Sequence, residues 1–218
     1  MRIGMLGTGM VGATVGRRLV ETGHEVRMGS RTAGGATAKA WVSSVGAGAS
    51  EGTFADAAAF GEVVVNATGG LVSIEALTAA GADNLAGKPL LDVSNPLDFS
   101  GGFPPTVVQN DGRSVGEQIQ AAFPSARVVK TLNTMNADVM VHPRSLPGHH
   151  SVFVAGDDAD AKVVAASLLR GFGWEEHEIV DAGPITSARG LELYLPLWLS
   201  LMGSFGSPTF NVAVVRGG

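Results

Sequence analysis

Three glycines near the start of the chain, Gly7, Gly9 and Gly12, stand as G-x-G-x-x-G within MRIGMLGTGMVG. A short apolar run, Arg2–Leu6, precedes them and a helical pattern starts at Val11, so they fall on a strand-to-helix turn. Such a turn is suited to anion chemistry. Its first glycine permits the tight reversal, the second lets a diphosphate approach the backbone, and the third lets the helix pack closely on the strand. The amides freed at the helix N-terminus then meet the anion with the helix's partial positive charge behind them. We read Gly7, Thr8, Gly9, Met10, Val11 and Gly12 as a dinucleotide diphosphate site.

The second strand candidate, Glu25–Met28, decides which dinucleotide. An NAD-binding chain usually carries Asp or Glu at its end, accepting from the ribose 2′-hydroxyl. This chain has Gly29, Ser30 and Arg31 there. A carboxylate would repel a 2′-phosphate, whereas a hydroxyl and a guanidinium fork would hold it, so Ser30 and Arg31 favour NADP(H). The alternative for Arg31 is a solvated arginine stacking on adenine. Three later strand ends read Thr68-Gly69-Gly70, Ser94-Asn95-Pro96 and Asn133-Thr134-Met135-Asn136. Ligands of open α/β sheets bind beyond the carboxyl ends of the strands. Thr68, Gly69, Ser94, Asn95, Asn133 and Thr134 are therefore candidates to meet the ribose hydroxyls and the carboxamide, although Asn and Ser at such places also serve as plain turn and helix caps.

Acid–base and metal chemistry are poorly served. Tyr194 has no lysine close by in sequence. His142, His149 and His150 surround a Pro/Gly loop without an evident carboxylate partner, and His149 and His150 read as solvated. Asp157, Asp158 and Asp160 stand between a strand and a helix, where capping explains them. No catalytic residue and no metal site is expected. The chain has no cysteine, which excludes disulfides, thiolate nucleophiles and iron–sulfur clusters. Hydride transfer between two redox cofactors fits this poverty, because it needs alignment and water exclusion more than a general acid.

The elements that must position these residues alternate. Strand candidates are Arg2–Leu6, Glu25–Met28, Val63–Ala67, Leu90–Val93, Arg127–Leu132, Val152–Ala155 and Glu178–Val180. Helix candidates between them are Val11–Glu21, Ala36–Ser44, Leu71–Ala80, Val115–Ala122 and Ala159–Arg170. This alternation predicts an α/β fold with a Rossmann-type, doubly wound, mainly parallel sheet. The Pro-, Gly- and Ser-rich stretch Ser94–Arg113 reads as one long surface loop. In Leu191–Met202 leucine recurs at every second position, but Pro196 argues against a strand. We read a helix, packed on a partner subunit or within the core, as part of a small C-terminal helical extension. The division expected is a dinucleotide-binding domain over 1–140 and a smaller part over 141–218 that completes the acceptor site. With 45% hydrophobic and 16% charged residues the chain can bury a core. A net charge of −5 without a basic run disfavours nucleic acid. No run is long enough to span a bilayer and no signal peptide is evident, so a cytoplasmic protein with no membrane partner is expected.

Taken together, the chain resembles the NADPH-dependent reductases of the deazaflavin coenzyme F420. The resemblance rests on Gly7–Gly12, on Gly23-His24-Glu25 followed by Gly29-Ser30-Arg31, and on Val128-Val129-Lys130 leading into Asn133-Thr134-Met135. It continues through Val154-Ala155-Gly156-Asp157-Asp158, Asp181-Ala182-Gly183-Pro184 and Leu195-Pro196-Leu197. It implies that Thr8–Val11 hold the diphosphate and that Ser30 and Arg31 hold the 2′-phosphate. It also implies that Asn133, Met135 and Ala137 lie against the nicotinamide, with F420 or a flavin-like acceptor stacked over it, and that the protein is a homodimer joined in part by C-terminal helices. Two rivals are a reductase of a small imine or carbonyl substrate and a non-catalytic NADP(H) sensor.

Overall fold

The structure, a computed structural model, describes residues 1–108 and 112–217. Its first half runs β1 (Arg2–Leu6), α1 (Met10–Glu21), β2 (Glu25–Ser30), α2 (Ala36–Val45), β3 (Ala49–Thr53), α3 (Phe54–Phe60), β4 (Val63–Asn66), α4 (Ser73–Ala80), α5 (Ala82–Leu85) and β5 (Pro89–Asp92). A small pair, β6 (Leu97–Asp98) and β7 (Thr106–Val107), is followed by α6 (Val115–Ala122), β8 (Arg127–Thr131) and α7 (Ala137–Val141). Then come β9 (Val152–Ala155), α8 (Ala159–Phe172), β10 (Ile179–Gly183), α9 (Ala188–Leu193) and α10 (Leu195–Phe205).

One eight-stranded sheet has the order β10-β9-β8-β5-β4-β1-β2-β3. From β3 to β8 every neighbouring pair is parallel. β9 reverses, pairing antiparallel with β8 through Lys130 opposite Ala155, and β10 follows β9 in parallel. Side chains alternate between the two faces. Ile3, Met5, Val63, Val65, Leu91 and Val129 pack with α1, α7 and α8 on one side, whereas Leu6, Val64, Leu90 and Val128 pack with α3, α4 and α6 on the other. Both layers are closed by helices, as a parallel sheet buried on two faces requires.

The structure departs from the expected elements at several places. β3 and α3 were not anticipated: Ala-Ser-Glu-Gly-Thr carries no apolar alternation, and α3 begins at a capping box in which Thr53 and Asp56 exchange hydrogen bonds. The stretch Ser94–Arg113 is not one bare loop, because β6 and β7 pair antiparallel inside it; residues 109–111 lie outside the described residues. The leucine-rich segment is helical, and Pro196 falls in the first turn of α10, where its missing N–H costs nothing. It is not a core helix, since Leu195 alone on it is buried while Leu197 and Phe205 are more than half exposed. His150 is not solvated. It is 5% exposed, with Nε2 2.9 Å from the Pro143 carbonyl and Nδ1 2.8 Å from Asn211 Nδ2. Asn211 belongs to a C-terminal segment that crosses the start of β9, where Ser151 N donates to the Val212 carbonyl at 2.8 Å. No helix among the described residues is long and apolar enough to cross a membrane.

Candidate functional site

The winding of the sheet changes direction between β1 and β4, the place where such sheets open a ligand crevice. Gly7 lies there with φ +114, and an added Cβ would stand 2.7 Å from the carbonyl oxygen of Ala67, the residue that follows β4. Gly12 is fixed by packing, since its Cβ would come within 2.2 Å of the Gly7 oxygen. Gly9 differs from both. Its backbone is ordinary extended chain (φ −72, ψ 179), and a Cβ would meet no protein atom within 4 Å. Nothing inside the protein requires glycine at position 9; the space above it is open. Gly9 is also the N-cap of α1, which has no side-chain cap and no acidic residue in its first turn. The leading amides of α1, from Met10 and Val11 onward, are therefore left to an external acceptor.

A cleft of about 460 Å³ runs from this turn along the end of β2. Gly7, Thr8, Ser30, Arg31 and Thr68 line it together, with Phe54 and the α4 residues Glu75 and Ala79 on the opposite wall. Arg31 is exposed and makes no hydrogen bond or ion pair with the described residues. Ser30 Oγ donates to the Thr32 carbonyl at 2.7 Å, which leaves its lone pairs but engages its proton. Glu51 of β3 accepts from Gly34 N at 2.9 Å and so pins the turn after Arg31. Sequence reasoning missed Glu51 because it missed β3.

The other predicted residues adjoin this cleft but are tied to one another. Asn66, fully buried at the end of β4, donates to Ser73 Oγ and to Asp92 Oδ1, both at 2.9 Å, and accepts from Thr68 Oγ1 at 2.7 Å. Gly70 N donates to the Asn95 carbonyl at 3.0 Å, joining the loop of Thr68 and Gly69 to that of Ser94 and Asn95. Asn95 Nδ2 donates to the Asn133 carbonyl at 2.8 Å, and Asn133 Nδ2 returns a bond to Asn95 Oδ1 at 3.0 Å. Two buried oxygens in this group, Asn133 Oδ1 and Ser94 Oγ, have no partner. Thr134, Met135 and Ala137, which follow Asn133, are all buried. Leu132, which leads into this loop from β8, has φ +62, the one left-handed non-glycine backbone among the described residues. Strain of this kind costs about 1–3 kcal/mol and persists only where the surroundings fix it.

Behind these loops is a buried ionic group that sequence reading did not assign to the site. Lys130 Nζ lies 2.9 Å from Asp92 Oδ2 and 2.8 Å from Glu192 Oε1, with all three side chains essentially inaccessible. Lys130 also donates to the Ser94 carbonyl. Glu192, on α9, accepts from Val115 N and Gly116 N at the start of α6. Burial disfavours the ammonium, but the charges and hydrogen bonds of Asp92 and Glu192 outweigh it and raise the Lys130 pKa above that of an ordinary lysine. A signal was present: one lysine in the apolar run Arg127–Leu132 and one aspartate ending Leu90-Leu91, on strands that prove to be neighbours. Tyr194 offers no acid–base alternative, since its buried hydroxyl lacks a partner and burial pushes its pKa up.

The chain is similar to four sets of known proteins. The profile of the family described as NADP oxidoreductase, coenzyme F420-dependent, matches residues 2–96. A crystal structure from Arthrobacter sp. FB24, provisionally described as an F420-dependent NADP-reductase, is 49% identical with a TM-score of 0.91, covering 99% of this chain and 98% of that one. The metalloreductase STEAP3 of Rattus norvegicus is 31% identical over 206 residues, 90% of this chain, and the chain spans 38% of that relative's length. At the level of fold alone, an imine reductase of Streptomyces aurantiacus is similar, with 17% identity, a TM-score of 0.67, and coverage of 94% of this chain and 64% of that one.

Proposed function

Because the chain belongs to the coenzyme F420-dependent NADP oxidoreductase family, we propose that this NADP-dependent oxidoreductase transfers hydride between NADPH and the deazaflavin F420. The observation that carries the cofactor half of the reading is the pairing of open space over Gly9 with an unpartnered Arg31 and no carboxylate at the end of β2. The residues present fit NADP(H). The leading amides of α1, around Thr8, Met10 and Val11, hold the diphosphate without competition from a side-chain cap. Arg31 holds the 2′-phosphate, with Ser30 beside it. The bound dinucleotide supplies a hydride from its nicotinamide ring. Thr68, Gly69, Ser94, Asn95 and Asn133 frame that ring as one hydrogen-bonded rim. Met135 and Ala137, both buried, are read as lying against that ring.

This rim aligns reactants and excludes water; it holds no evident proton donor, which suits hydride exchange between two ring systems. We place residues 1–140 as the dinucleotide half and 141–218 as the part that completes the acceptor site. A second copy of the chain is placed on the exposed apolar face of α9 and α10, where Leu193, Leu197 and Phe205 stand.

The test is an absorbance assay with NADPH and oxidised F420, repeated with FMN, FAD, a cyclic imine and no acceptor. Fast F420 reduction, with NADH much poorer, is the expected result. Tight NADPH binding with turnover on the imine only, or on none, overturns the deazaflavin reading and leaves the dinucleotide assignment standing. Arg31→Ala is expected to weaken NADPH about 10- to 100-fold, the worth of a charge-assisted phosphate contact, while NADH changes little. Equal losses for the two dinucleotides, measured by fluorescence titration, would show that Arg31 does not read the 2′-phosphate.

A further inference from the structure

β9 and β10 run side by side with Val152 opposite Ile179, so the segments leading into them meet at one end of the sheet. His149 lies on the first of these segments, and His177 and Glu178 lie on the second, in the 3-10 turn Glu176–Glu178. His149 Nδ1 is 3.1 Å from His177 Nε2 and 3.4 Å from Glu178 Oε1. The three ligand atoms lie within 4.8 Å of one another, a grouping found once among the described residues. Spacing along the chain does not announce it, since His149 and Glu178 are 29 positions apart.

We propose that His149, His177 and Glu178 form a site for a borderline first-row divalent cation, with Zn²⁺ as its reference ion. Three observations carry this. The first is spacing: a tetrahedral ion about 2.1 Å from each ligand sets the ligand atoms ~3.4 Å apart, and two of the three separations are already close to that. The second is the state of Glu178. Its side chain is 1% exposed, and both carboxylate oxygens accept from Arg144 Nη2 while Glu175 N donates at 3.0 Å, so it is a fixed anion. A carboxylate oxygen has two lone-pair directions, and Arg144 does not exhaust Oε1. The third is what lies behind the imidazole. His177 presents Nε2 to the cluster, and its Nδ1 is 3.5 Å from Glu175 Oε2. A carboxylate on the far nitrogen of a ligating histidine orients the ring and makes it a better donor.

Two nitrogens and one oxygen favour zinc, cobalt, nickel or copper over magnesium or calcium, which prefer all-oxygen sets. Both imidazoles are more than half exposed, so the ion keeps an open position toward solvent that water fills. A bound ion would also tie the two leading segments together next to His150, which contacts the Pro143 carbonyl, Asn211 and the Trp174 ring.

The experiment is a calorimetric titration of the full chain with Zn²⁺ and separately Mg²⁺ at neutral pH, followed by visible absorption of the Co²⁺-loaded protein. One Zn²⁺ per chain with a Kd on the order of micromolar is expected, with no heat from Mg²⁺ and a Co²⁺ band of the intensity given by four or five ligands. His149→Ala and His177→Ala, both on exposed rings, should each weaken Zn²⁺ about tenfold or more and remove that band, with the melting temperature of the metal-free protein unchanged. His24→Ala and His142→Ala should leave binding as it was. Failure to bind Zn²⁺ and Co²⁺, or binding that survives both His149→Ala and His177→Ala, overturns the proposal. None of these readouts depends on NADPH or on turnover.

Discussion

Lys130→Met is expected to lower the unfolding free energy by about 3–5 kcal/mol, because it leaves two buried carboxylates facing each other without their cation. Asp92 and Glu192 sit 2.9 and 2.8 Å from the Lys130 ammonium, and none of the three reaches solvent. The methionine fills the space of the lysine stem and supplies no charge, so a volume change does not explain the loss. The triple variant Lys130→Met, Asp92→Asn, Glu192→Gln should recover part of it. Asn at position 92 keeps one oxygen for Asn66 Nδ2 and Ser94 N, which share Oδ1, whereas Gln at position 192 keeps an oxygen for only one of Val115 N and Gly116 N, which use both carboxylate oxygens of Glu192. The pH dependence has a definite sign. The folded-state pKa of Lys130 is raised, so its contribution is fully present below the ordinary value of 10.5 and is lost as pH rises through the higher folded value. Lys130→Met should lack that alkaline component. A melting temperature unchanged by Lys130→Met would refute the view that this group carries net stability.

Gly9→Val should reduce NADPH affinity by roughly 100-fold or more, since its branched side chain takes the space the diphosphate needs against the backbone. The same change should cost the fold only about 1 kcal/mol, the difference between a good and a poor N-cap. The prediction is sharp because the neighbouring glycines behave differently. Gly12→Ala drives a Cβ to 2.2 Å from the Gly7 oxygen, and any side chain at Gly7 meets both a φ of +114 and the Ala67 carbonyl. Those variants should lose stability together with binding. A folded Gly9→Val that binds NADPH normally would move the diphosphate away from α1.

The glycine turn and the Gly29-Ser30-Arg31 end of β2 were legible because both depend on local backbone rules that spacing alone reports. The strands that carry apolar side chains were legible for the same reason. β3 was not: its five residues include one glycine and no β-branched apolar residue, and its place at the sheet edge asks for no apolar alternation. α3 went unread as well: Thr53 and Asp56 carry a capping-box signal, but the helix is too short for periodicity to register. The rim is the harder case. Thr68, Asn95 and Asn133 were recognisable as polar residues at strand ends, but sequence could not show that Asn95 and Asn133 bond to each other or that Thr68 is held by Asn66. Nor could it show that Lys130, Asp92 and Glu192, separated by up to 100 positions, meet in one buried group. Those pairings follow from strand order, which propensity does not encode.

The reversal of β9 bears on how such a chain can change over generations. Each crossover between parallel strands must travel the length of the sheet and return, so the lengths of α1 or α4 are bound to strand length. The connection from β8 to β9 begins and ends on one rim, the rim of the glycine turn, because the two strands run in opposite senses. The largely exposed turn at residues 145–148 can therefore change length without shifting any strand, while α7 stays packed in the core. Selection for a new acceptor has a stretch of chain to lengthen, shorten or reshape there, while the parallel strands and their glycine turn stay as they are.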